Sequence, residues 1–123
     1  MKTGTMLLCL LMCALAASNA AADITGRWKV TIALGDQTIT GVALLRQTGD
    51  EVTGSIGADE RNQHPLDGVV KGNLITLTTH PRPGRTVAFD KCYLRVHGET
   101  MTGTTERTGS SDKATIELVR VKE

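Results

Sequence analysis

Four times in this chain a glycine and a polar residue stand directly before a short β-type segment. The four are Gly35-Asp36 before Thr38-Ile39-Thr40, Gly49-Asp50 before Val52-Thr53-Gly54-Ser55, Gly72-Asn73 before Leu74-Ile75-Thr76, and Gly98-Glu99 before Met101-Thr102-Gly103-Thr104. Glycine in such a pair supplies the positive φ that a tight hairpin turn requires, while Val, Ile and Thr suit a pleated, half-buried surface. Each unit therefore reads as a turn feeding a strand, and the chain as a meander of hairpins.

Beyond residue 22 no segment sustains apolar residues at i, i+3 and i+4 over three turns, whereas alternation recurs. Trp28, Val30, Ile32 and Leu34 alternate with Lys29, Thr31 and Ala33, giving one clean strand face. Further strands are expected over residues 38–47, 51–57, 66–71, 74–79, 85–96, 100–106 and 113–121. About eight strands joined by hairpins leave two unpaired edges unless the sheet closes, so the fold expected is all-β, an antiparallel up-and-down barrel. Strands this short must bend sharply to close, and Gly41, Gly54, Gly68 and Gly103, each in mid-strand, are where that curvature is expected.

In such a barrel successive connections alternate between the two ends. The tight turns at Gly49, Gly72 and Gly98 then share one end, which is pinched. Residues 35–37, 58–65, 80–84 and 108–112 share the other, and three of these four are longer and polar. That end is expected to form a rim.

The first 22 residues stand apart from the barrel. Lys2 gives them a positive start, an apolar run from Met6 to Ala17 follows, and small residues at Ser18, Ala20 and Ala22 complete the pattern of a cleaved secretory signal. Acylation at Cys9 or Cys13 is the rival, but bulky Leu8 and Met12 precede those cysteines. The expected arrangement is a signal peptide over residues 1–22 and a single barrel domain over residues 23–123, exported to a periplasmic or secreted location. Loss of Lys2 reduces the 14 basic residues to 13, against 13 acidic ones. A net charge near zero gives no basis for binding nucleic acid or an anionic membrane surface. Cys92 then remains alone, so the domain must hold together by its core, and the thiol reads as a small buried hydrophobe.

The predicted first strand opens Gly26-Arg27-Trp28 and the predicted last strand carries Arg120. In this the chain resembles the calycin superfamily, which includes lipocalins, fatty-acid-binding proteins and avidins. The resemblance implies that Trp28 plugs the closed end of the barrel beneath the Arg120 cation, with Gly26 completing the motif. The chain departs from that pattern in being short, in having one tryptophan where avidins set several around biotin, and in offering only Phe89-Asp90 as an echo of the second lipocalin motif.

With one Trp, one Tyr and one Phe, the barrel lacks the aromatic walls on which haem or flavin rests, and no cofactor is expected. His64 and His80 fall on the rim without a neighbouring H-x-x-H or Cys partner, so no metal site is assigned. Arg61, His64, His80, Arg82 and Arg85 give the rim a basic bias suited to a carboxylate or phosphate headgroup. Asp59, Glu60 and Asp112 lie on the same loops and oppose it. No Ser-His-Asp order, Cys-His pair or phosphate loop appears, so no enzyme activity is expected. The function these features imply is binding of a small apolar or amphipathic molecule at the longer-loop end. The alternative is a solid barrel that binds a protein partner through its surface.

Overall fold

The computed structural model describes residues 23–85, 89–107 and 113–122. The expected signal segment, residues 1–22, lies outside these, as do residues 108–112 of the rim. The architecture is the one expected: eight antiparallel strands in sequence order closing into a single barrel, with β8 returning to β1. The strands are β1 Gly26–Leu34, β2 Gln37–Thr48, β3 Glu51–Gly57, β4 Gln63–Lys71, β5 Leu74–Thr79, β6 Lys91–His97, β7 Thr100–Glu106 and β8 Lys113–Arg120.

The four Gly-polar pairs are the four tight turns. Gly35, Gly49, Gly72 and Gly98 take φ of 58°, 62°, 60° and 62°, while no residue other than glycine has positive φ among those described. A turn that needs the left-handed conformation only at its first central position is of type II′, whose twist matches that of the flanking strands.

Alternation sends one face of every strand inward. Register makes those faces continuous around the barrel: Trp28 pairs with Ala43 and Arg120, Val30 with Leu118, Leu118 with Met101, and Leu94 with Ile75. The mid-strand glycines belong to the same inward set, and they mark curvature. A Cβ built on Gly103 would stand 1.7 Å from the carbonyl oxygen of Tyr93, and one on Gly68 2.1 Å from that of Thr76. Neighbouring strands approach there more closely than any side chain permits, so the sheet can turn its corner.

Two strand boundaries differ from expectation by more than one residue. β4 begins at Gln63 rather than Leu66, with Pro65 inside it. The missing N–H of Pro65 faces the side of β5, which ends at Thr79, so no ladder bond is lost, and the Pro65 carbonyl accepts from the backbone N–H of His80 at 2.8 Å. β6 begins at Lys91 rather than Arg85 because β5 is only six residues long and offers nothing further to pair with. Before it the chain makes a turn instead: Arg85 N–H donates to the Arg82 carbonyl at 3.0 Å, with Pro83 and Gly84 (φ 74°) at the corner. Proline followed by a left-handed glycine is the pattern of a type II turn.

Candidate functional site

The two ends of the barrel differ in what fills them. At the end formed by the turns at Gly49, Gly72 and Gly98, Trp28 is fully buried and its indole Nε1 donates to the Ile24 carbonyl at 2.9 Å. Ile24, also fully buried, folds across this end and is held there by its N–H donating to Gln47 Oε1 at 3.0 Å. The Arg120 guanidinium lies 4.4 Å from the centroid of the Trp28 ring. It donates through Nη2 to the Asp23 carbonyl at 2.8 Å and through Nη1 to the Thr25 carbonyl, and it pairs through Nε with Glu99 at 2.6 Å. One cation therefore ties the first strand, the chain before it and the Gly98 turn into a plug. The contact between Trp28 and Arg120 read from the sequence is present, and Ile24 is an addition to it.

The opposite end holds a cavity of about 470 Å³. Its inner walls are apolar: Val30 and Ile32 from β1, Ile39 from β2, Ile56 from β3 and Phe89 ahead of β6. Its lip is polar, with Asn62, His64 and Arg85. Thr79, which is buried, fixes the approach to Phe89 by donating its hydroxyl to the Phe89 carbonyl at 2.6 Å, while Thr79 N–H donates to the Asp90 carbonyl at 2.8 Å. Gly41 lines the cavity by alternation with Ala43, and a side chain is excluded there because a Cβ would stand 2.5 Å from the Gly57 carbonyl oxygen.

Of the five rim residues expected to meet a ligand, the structure brings two to the cavity. His64 lines it from β4, facing inward by alternation between Gln63 and Pro65, and Arg85 lines it from the turn before β6. Arg85 Nη1 lies 3.4 Å from Asn62 Oδ1, joining the two loops across the lip. The other three stand away from it. His80 turns outward to Asp67, with Nε2 2.9 Å from Oδ2, because it follows a strand whose inward residue is Thr79. Arg82 reaches the lip only through its backbone, whose N–H points to His64 Nδ1 at 3.5 Å, and Arg61 is exposed on its loop.

The acidic residues of that loop are engaged elsewhere. Glu60 pairs with Arg27 on β1 at 2.6 Å. Asp59 accepts from the backbone N–H of Arg61 at 2.9 Å and of Asn62 at 3.0 Å and from the Asn62 side-chain amide, and these bonds, with Arg61 first, hold its carboxyl below the usual aspartate range. Glu60 is thus neutralised by Arg27, whereas Asp59 keeps its charge and is joined to Arg85 only through Asn62. Among the described residues no carboxylate pairs with Arg85, and no group of three or more His, Cys, Asp or Glu is placed to hold a metal ion. Cys92 faces inward and is buried, and burial pushes its thiol up to about 12, leaving no thiolate at neutral pH.

Sequence reasoning missed Asn62, Thr79 and Phe89 as parts of the site. Phe89 carried a signal, as an aromatic in a chain with only one phenylalanine. Asn62 did not, since its place depends on how residues 58–62 fold around Asp59. No family model matches the chain, and neither a curated protein nor a solved structure does.

Proposed function

We propose that this chain is an exported binding protein that holds a small apolar or amphipathic molecule in the cavity at the open end, with no covalent step. The observation that carries the reading is the asymmetry of the interior. One end is plugged by Trp28 and Ile24, and the other leaves about 470 Å³ apolar inside and cationic at its lip. Burial of ligand surface against Val30, Ile32, Ile56 and Phe89 supplies the affinity, at about 25 cal/mol per Å² removed from water before the costs of binding are met. Arg85, steadied by Asn62, orients an anionic headgroup when the ligand has one. Kinship with calycin barrels is part of the same proposal and is supported by the Trp28 and Arg120 pair at the plugged end. Export is supported by the pattern of residues 1–22.

The test is a thermal-shift screen with fatty acids, bile-like acids and neutral amphiphiles, repeated on Ile56→Phe, which fills the cavity from within. The expected result is a rise in Tm for some amphiphiles that Ile56→Phe abolishes while remaining folded. Arg85→Ala should weaken the anionic members and spare the neutral ones, and Arg82→Ala should change neither. Absence of any shift, or a shift that survives Ile56→Phe, overturns the reading.

A further inference from the structure

β2 is longer than the strand beside it. It runs for twelve residues, but its pairing with β3 ends at Val42 opposite Gly57, so residues 37–41 are paired only with β1. The Gln63 side-chain amide donates to the Val42 carbonyl at 3.2 Å and so terminates the ladder at this point. Ala58 still lies against Gly41, its Cα 3.7 Å from where a Cβ would stand, and past that point the edge of residues 37–40, about 14 Å at roughly 3.4 Å per residue, is open. Thr38, Ile39 and Thr40 are exposed, and among the described residues no other strand pairs with this edge.

Parity decides which groups face outward. The Gly35-Asp36 turn is closed by Leu34 and Gln37, which in a two-residue hairpin exchange hydrogen bonds, so Ile39 and Gly41 bond to β1 as well. Thr38 and Thr40, like Val42, turn both N–H and C=O the other way, which the bond to the Val42 carbonyl corroborates. Residues 37–41 read Gln-Thr-Ile-Thr-Gly, and contain none of the charges or prolines with which proteins blunt an exposed edge. The same edge forms one wall of the cavity, since Ile39, Thr40 and Gly41 line it, with Asn62, His64 and Arg85 on other parts of the lining.

We propose that residues 37–40 accept an extended segment of a partner protein as an added antiparallel strand. Its backbone would bond to Thr38 and Thr40, and its apolar side chains at alternate positions would face inward opposite Gln37 and Ile39, the second of them entering the cavity. Alternation imposes this pattern, because a residue paired with Ile39 points to the same face as Ile39. Arg85, which has no carboxylate partner among the described residues, suits an acidic side chain of the same segment where it crosses the lip. The inference rests on the open edge and stands apart from the small-molecule reading, although the two occupants would compete.

Thr40→Pro separates them. Its N–H bonds to no strand, so proline there removes an edge donor and leaves the β1–β2 ladder whole. A displayed library of short random peptides should yield binders to the native chain with apolar residues at alternate positions. A selected peptide should bind Thr40→Pro about tenfold more weakly or worse, with the circular dichroism and Tm of the variant near native. N-methylation of the peptide amide that faces the edge should weaken binding to the same degree, and N-methylation of the next amide should not. Amphiphile-induced Tm shifts should persist in Thr40→Pro. Overturning results are a library that enriches no alternating pattern, peptide binding indifferent to both Thr40→Pro and N-methylation, or a native chain that dimerises through this edge and becomes monomeric on Thr40→Pro.

Discussion

The plugged end and the open end of the barrel are built from the same strands by opposite uses of side chains. At the plugged end polar groups serve apolar ones: Arg120 and Gln47 hold the backbone of residues 23–25 so that Ile24 and Trp28 fill the interior. At the open end they serve one another. Asp59 orders Asn62, Asn62 meets Arg85, and the apolar walls behind them face space. A barrel of short strands can thus place its stability at one end and leave the other with slack for binding.

The largest expected effect follows from the plug. Trp28→Ala should cost about 3–5 kcal/mol in urea-induced unfolding, since it empties a fully buried site and orphans the Ile24 carbonyl. Ile56→Ala, at the cavity wall, removes contacts on only one side of the side chain and should cost less than the Trp28 substitution. Equal costs at the two ends would break the comparison.

Next in size is Gly103→Ala, in mid-barrel. The new methyl would stand 1.7 Å from a backbone oxygen of β6, so the sheet must open locally at a cost of roughly 1–3 kcal/mol. Gly84→Ala, where nothing lies within 4 Å of the added carbon, should cost less, limited to the strain of positive φ. Amide exchange should rise in β6 and β7 for the first variant and stay native there for the second.

Arg120→Ala sharpens the plug itself. Loss of the cation over the indole should cost about 0.5–2 kcal/mol, and the fluorescence of Trp28 should change because its ring loses a neighbour at 4.4 Å. Arg85→Ala, a guanidinium on an exposed lip, should leave stability within about 0.5 kcal/mol of native.

Much of this organisation was legible in the sequence, and where it was not the cause is physical. Turn chemistry is local, so Gly35, Gly49, Gly72 and Gly98 announced four hairpins correctly, and their alternation placed Trp28 and Arg120 at the same end. Strand ends are not local. Pro65 looks like a breaker but lies inside β4, paired with Ser55, because its missing N–H faces the side on which β5 has already stopped. Side-chain direction past a strand end also escapes counting: His80 and His64 share the rim, yet one faces Asp67 outside and the other the cavity. The open edge of β2 was within reach. Counting back from the Gly49-Asp50 turn pairs Gly57 with residue 42 and leaves residues 37–41 without a β3 partner.

The smallest effect expected is a pH dependence of the loop at the open end. Asp59 is exposed, and the Arg61 and Asn62 donors favour its ionised form, so its folded pKa lies below the ordinary aspartate value. A depressed folded value means that the stabilisation is fully present above the ordinary pKa and is lost as pH falls through the lowered one. Because the bonds are local to residues 59–62, their loss should free Asn62 from Arg85 without unfolding the barrel. Titration by NMR from neutral pH to about 2 should therefore move the amides of Arg61 and Asn62 together, at a midpoint below the usual carboxylate range. Asp23, whose carboxyl is held low at the plugged end by the Thr25 backbone N–H and hydroxyl, titrates in the same interval, so the Trp28 indole resonance should follow the same course in the native chain and in Asp59→Asn. In Asp59→Asn the loop transition should vanish. A Trp28 transition that Asp59→Asn abolished would mean that the two ends are coupled, and the division of labour between them would fail.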